Sequence, residues 1–251
     1  MTVMTPVPEA ELDFDNGTFD SAAFAAQTLA SWQALAGVID HTLLKPDATR
    51  EQIENLCDEV IRYRFACAMV NPMWASTAVG MLSGTGLPVG VVIGFPLGAS
   101  LVSTLRQEAT ALTRLGAREL DMVIPIGQLK SGNHHAVQHT VHAVATVAHH
   151  HGALLKVTLE TALLTMEEKL RASEIAIQTG ADFIKTSTGF ASGGATPADV
   201  ALLRGVAGAR CGVKAAGGIR TLADVRALLE SGANRIGASA SVAIVHELGA
   251  E

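Results

Sequence analysis

Eight short apolar runs alternate with longer helical stretches from residue 37 to the C-terminus. The strand candidates are residues 37–44, 65–72, 88–96, 118–126, 154–161, 181–189, 211–218 and 234–239. Helical character fills 49–63, 100–115, 131–151, 165–179, 196–207 and 221–231. Strands separated by helices pair in parallel through crossovers, and eight such units predict an α/β fold, a single (β/α)8 TIM barrel. Thr49, Thr165 and Thr196-Pro197 supply helix starts, while Gly116, Gly152, Gly180 and Gly232 close helices just before the next strand. Residues 1–36 stand outside the rhythm. Of these, 1–18 read as loosely attached and 19–36 as one extra alanine-rich helix over the N-terminal end of a barrel domain spanning 37–251.

Composition narrows the function classes. A formal charge of −6 leaves no basic footprint for nucleic acid. No apolar run approaches the length of a membrane span, and the first basic residue is Lys45, so a signal peptide's charged start is missing. Cys57, Cys67 and Cys211 form no CxxC pair, which fits a reduced, cytoplasmic setting. The expected partners are small molecules, with no nucleic acid and no membrane. A homodimer or larger homo-oligomer is compatible with the chain.

Strand alternation sorts the side chains. In the fourth strand Leu120, Met122 and Ile124 share one face, and Glu119, Asp121 and Val123 the other. The fifth sets Leu155, Val157 and Leu159 opposite Lys156, Thr158 and Glu160. With the apolar faces turned to the helices, the interior receives four acids (Asp40, Glu119, Asp121, Glu160) and four bases (Lys156, Lys185, Lys214, Arg235). Thr42, Cys67 and Asn71 are also placed inward. Glu119 and Arg235, early in their strands, read as a floor ion pair. Asp121, Lys185 and Lys214 lie toward the C-terminal ends, where barrel enzymes place their chemistry. A buried lysine beside another cation is pushed toward a free amine, the nucleophile that forms a Schiff base with a carbonyl.

Gly217-Gly218 follows the seventh strand and Gly237-Ala238-Ser239 ends the eighth. Each precedes a helix whose first N–H groups can bind an anion, with Gly189 adding a further N–H. A phosphorylated carbonyl compound is the expected substrate. The histidines of 131–151, including His135, His139 and His142 on one face, read as a solvated surface and not a metal site. GTGLPVG (84–90) precedes a strand and so lacks the context of a dinucleotide fingerprint.

The segments IDHTLLKPDAT, VGVVIGFPLGAS, ELDMVIPIGQLKSG, LLKVTLET, FIKTSTGF, VKAAGGIRT and SGANRIGAS closely resemble the DeoC-type 2-deoxy-D-ribose-5-phosphate aldolases, in the family's order. The resemblance implies reversible cleavage of 2-deoxyribose 5-phosphate to glyceraldehyde 3-phosphate and acetaldehyde, with no metal or organic cofactor. It implies that Lys185 is the Schiff-base nucleophile and that Lys214 lowers its pKa. Asp121 is implied as the acid–base group, acting through an ordered water, and Asp40 as part of the hydrogen-bond network. Gly189, Gly217, Gly218, Gly237 and Ser239 correspond to the phosphate site, and Thr42, Cys67, Asn71, Lys156 and Thr186 to a surrounding shell. Ala240 and Phe190 replace a serine and a lysine of some members. A Schiff-base barrel enzyme acting on another carbonyl, and a non-catalytic phosphosugar-binding barrel, are the competing readings.

Overall fold

The computed structural model describes residues 18–251. Eight strands close a parallel barrel in sequence order. They are β1 (Ile39–Leu43), β2 (Cys67–Val70), β3 (Val89–Ile93), β4 (Glu119–Val123), β5 (Leu154–Thr158), β6 (Phe183–Lys185), β7 (Gly212–Ala216) and β8 (Arg235–Ala238). The helices before β3 are α1 (Ser21–Thr28), α2 (Trp32–Ala36), α3 (Arg50–Tyr63) and α4 (Ala75–Leu82). Next come α5 (Val102–Leu115), α6 (Ile126–Lys130), α7 (His134–His150) and α8 (Met166–Gln178). The last three are α9 (Pro197–Ala207), α10 (Leu222–Glu230) and α11 (Ser241–Glu247). No helix among the described residues is long and apolar enough to cross a membrane.

Every expected run holds a strand, and every strand stops short of its run's C-terminal end. Those trailing residues are the loops that carry the site. The expected helix over 19–36 is instead two helices. Ser31 breaks it by accepting the Ala34 N–H at 3.2 Å, an N-cap that starts α2. The pair packs chiefly on α10 and α11, in the outer layer, and not across the strand ends. The reading of 1–18 as loosely attached falls, apart from Thr18, outside the described residues.

Capping boxes at Thr49–Gln52 and Thr165–Glu168 start α3 and α8 as the sequence predicts. Strand parity holds too. Leu120, Met122, Ile124, Leu155 and Val157 pack into the continuous layer between strands and helices. Inside the barrel, Leu44, Cys67, Met69 and Val92 form a small separate apolar cluster with Phe95. Below and beside it lie the charged side chains, with Phe183 under Arg235.

Candidate active site

Three carboxylates and four cationic side chains meet inside the barrel. Asp121 is the hub: its Oδ2 accepts from Lys185 Nζ at 2.8 Å and Lys214 Nζ at 2.7 Å, and its Oδ1 from Lys156 Nζ at 3.0 Å. Asp40 takes Lys214 at 2.5 Å, Arg235 at 2.8 Å and Lys156 at 3.3 Å. Glu119 bonds Lys156 and Arg235. The in-register pairs Thr158–Lys185 and Lys185–Lys214 bring the two upper lysines side by side on β6 and β7. Asp121 touches both lysines directly, whereas the sequence suggested contact through a water.

The eighth expected charge lies elsewhere. Glu160 sits past the end of β5 with φ 59, in the left-handed region, so strand parity no longer governs its direction. Its carboxylate accepts from the Thr188 N–H at 3.2 Å and from the Thr188 hydroxyl. The lysine cluster therefore has one cation more than it has carboxylates. Three negative charges balance three positive ones only if one lysine gives up its proton.

Lys185 is the lysine placed to do so. Burial brings its pKa down from an ordinary 10.5 to about 8; Asp121 opposes the shift, and Lys214 and then Lys156 reinforce it. For Asp121, burial works toward a higher pKa, but Lys156, Lys185 and Lys214 hold it well below the usual carboxylate range. Asp40 is likewise lowered against its burial by Arg235, Lys156 and Lys214. Lys156 is raised well above ordinary lysine because Asp121, Asp40 and Glu119 overcome its desolvation.

The other expected residues are dispersed around this centre. Thr42 turns its hydroxyl to the Asp40 carbonyl at 2.8 Å, and Asn71 Nδ2 ties β2 to the Leu44 carbonyl at 3.1 Å. Thr186 bridges the ends of β6 and β7, donating to the Ala216 carbonyl and accepting its N–H. Cys67 is buried, and desolvation, then Glu119 and Asp40, push its thiol well up, so it is a space-filling thiol and not a nucleophile. Its Sγ lies within 4.8 Å of ligand atoms of Asp40 and Glu119, but Arg235 and Lys156 already engage both carboxylates. His135, His139 and His142 are exposed on α7.

The expected anion site is only partly as foreseen. The start of α10 is not free: Arg220 and Thr221 donate their N–H groups to Asp224, Leu222 to Glu247, and Asp224 to Thr221. After β8, α11 has seven residues, and Ser241 turns its hydroxyl back to the Ala238 carbonyl. The N–H groups of Gly189, Gly217, Gly218 and Ser239 find no protein acceptor among the described residues. The three glycines have φ of 86, 91 and 78°, where a β-carbon is disfavoured. Gly237 has a different part: a β-carbon there would lie 3.0 Å from Lys214 Cε, so its absence makes room for the lysine.

Phe95 and Glu108 are additions to the sequence reading. Lys185 Nζ lies 5.5 Å from the Phe95 ring centroid, and Phe190 stands edge-on to Phe95 at 5.6 Å. Glu108 on α5 accepts the Gly94 N–H at 3.1 Å and so steadies the loop bearing Phe95. Pro96, directly after Phe95, was the one readable sign that the strand ends there and its aromatic is freed for the site.

This geometry is a buried amine hydrogen-bonded to an ionised carboxylate inside a parallel barrel. The family described as DeoC/LacD family aldolase matches residues 34–246. The chain belongs to that family. A deoxyribose-phosphate aldolase of Geobacillus sp. (strain WCH70) is 51% identical over 211 residues, covering 84% of this chain and 94% of the relative. One from Listeria monocytogenes is also 51% identical over 211 residues, with the same coverage of 84% and 94%. Among solved structures, the tetrameric deoxyribose phosphate aldolase of Aeropyrum pernix superimposes with a TM-score of 0.84 at 34% identity, covering 91% of this chain and 96% of that one.

Proposed function

We propose that this chain is a class I deoxyribose-phosphate aldolase, cleaving 2-deoxy-D-ribose 5-phosphate reversibly to glyceraldehyde 3-phosphate and acetaldehyde. The observation that carries the reading is Lys185: buried, brought down to about 8, and hydrogen-bonded to Asp121 at 2.8 Å. At pH 7 about one molecule in ten then holds Lys185 as the free amine, roughly 300 times more than an ordinary lysine gives.

The neutral amine attacks C1 of the open-chain sugar, and loss of water from the carbinolamine leaves an iminium. Asp121, touching both lysines, passes protons between Lys185 and Lys214. The iminium then accepts the electron pair of the C2–C3 bond as the C3 hydroxyl loses its proton. Glyceraldehyde 3-phosphate departs, and an enamine remains on Lys185. Protonation at the former C2 and addition of water release acetaldehyde and restore the amine. Asp40 holds Lys214 in place at 2.5 Å. Gly189, Gly217, Gly218 and Ser239 bind the phosphate through backbone N–H groups and a hydroxyl, away from the bond that breaks. Phe95 and Phe190 wall the entrance with uncharged surface. The chemistry runs on the lysine itself.

The three free cysteines are buried, in keeping with a cytoplasmic protein, and the tetrameric Aeropyrum pernix relative favours a homo-oligomer. The test is borohydride reduction in the presence of substrate, followed by peptide mass spectrometry. The adduct is expected on Lys185, and Lys185→Leu should lose both adduct and turnover, by about 10⁴-fold or more. An adduct that persists in Lys185→Leu sinks the assignment.

A further inference from the structure

Glu160 is a buried acid that the lysine chemistry does not use. It is 2% exposed and has φ 59 and ψ 63. Among the described non-glycine residues only Arg64 shares a positive φ, and Arg64 is a helix C-cap, where that conformation is common. Glu160 precedes the short 3-10 turn Thr161–Leu163 and its carbonyl accepts the Leu163 N–H at 3.0 Å, but its side chain caps nothing there. A disfavoured backbone held beside an active site is a pointer to function.

Its contacts say what that function is. Oε2 accepts both donors of Thr188, and among the described residues Oε1 has no protein partner and the carboxylate pairs with no cation. A carboxylate only accepts, which fixes the direction of both Thr188 donors. The Thr188 hydroxyl in turn accepts the Phe190 N–H at 3.0 Å. On either side of Glu160, the Leu159 and Thr161 N–H groups donate to the carbonyls of Lys185 and Thr186, each at 2.9 Å. The end of β5 therefore grips residues 185–190 along their length. Of three consecutive N–H groups, Thr188 gives its own to Glu160 and Phe190 gives its own to Thr188. Gly189 alone keeps its N–H free of protein acceptors among the described residues, and its α-carbon lies against Gly217.

We propose that Glu160 is a positioning residue for the substrate's phosphate group: by clamping Thr188 it leaves the Gly189 N–H aimed at the anion held between Gly189 and Gly217-Gly218. This rests on the phosphosugar aldolase reading above. It assigns Glu160 to binding of the phosphorylated end of the substrate and not to the carbon chemistry.

The experiment compares steady-state kinetics on 2-deoxyribose 5-phosphate and on unphosphorylated 2-deoxyribose. Glu160→Ala is expected to raise KM for the phosphorylated sugar about tenfold or more, with kcat within about threefold. It should leave kcat/KM for the unphosphorylated sugar within about threefold. Glu160→Gln, whose amide oxygen still accepts both Thr188 donors, should recover most of the phosphate preference. Equal losses on the two sugars, or Glu160→Gln as impaired as Glu160→Ala, overturn the proposal. If Glu160→Ala does not fold, Thr188→Val and Thr188→Ser carry the same comparison. Valine should lose the preference and serine keep it, and any other order counts against the clamp. Acetaldehyde trapping on wild-type Lys185 separates the two readings. No adduct defeats the aldolase assignment, whereas an adduct together with parallel losses on both sugars defeats only the role of Glu160.

Discussion

Lys156 and Lys185 hang inside the same barrel from adjacent strands, both buried, and their proton affinities move in opposite directions. Burial pushes both down. Lys156 reaches three carboxylates, Asp40, Glu119 and Asp121, which more than reverse the desolvation. Among the described residues Lys185 reaches only Asp121, and shares it with Lys214 and Lys156. Depth alone does not make a reactive amine. What matters is the local ratio of acids to cations, and the cluster is one acid short at its upper end.

Breaking the shared hub should have the largest effect. Asp121→Asn removes the proposed proton relay and is expected to lower kcat by about 10²–10⁴-fold. Because Asp121 raises the Lys185 pKa, the same change should move the alkaline inflection of the rate below 8. Activity within tenfold of wild type would contradict the role of Asp121. Lys214→Met removes a cation that favours the free amine, so the Lys185 inflection should rise above 8. Each unit of rise lowers the neutral fraction at pH 7 about tenfold, and raising the assay pH should recover part of the loss. An unmoved inflection would show that Lys214 does not tune its neighbour.

Lys156→Met probes the floor. It takes one cationic partner from each of three buried carboxylates, which keep Arg235, Lys185 or Lys214, and is expected to destabilise the protein by up to about 3–5 kcal/mol in denaturant unfolding. Its effect on kcat in the folded fraction should stay under about tenfold, since Lys156 is the last of the named influences on Lys185. Collapse of activity at unchanged stability would erase the distinction between the two ends of the cluster.

The sequence allowed most of this site to be read wherever the backbone is a regular strand. Period-two alternation placed Asp40, Asp121, Lys156, Lys185, Lys214 and Arg235 inward, and all six meet there. The same rule failed for Glu160, two residues beyond the end of β5, where a left-handed residue redirects the chain. It was silent on Phe95, which sits on a loop after β3. Of the two helix N-termini expected for phosphate, the one at α10 is already occupied, for a readable reason. Thr221-Leu222-Ala223-Asp224 is a capping box, and it takes those N–H groups for the protein itself. The extension was misjudged as one helix for a similar reason, because Ser31 is a second start signal.

The central claim is that Lys185, and not its better-paired neighbours, is the free amine. The most direct measurement is the rate of acetaldehyde–borohydride trapping at each lysine as a function of pH, resolved by peptide mass spectrometry. Labelling is expected on Lys185 with an inflection at about pH 8. An inflection above 10, or labelling that favours Lys156 or Lys214, contradicts it.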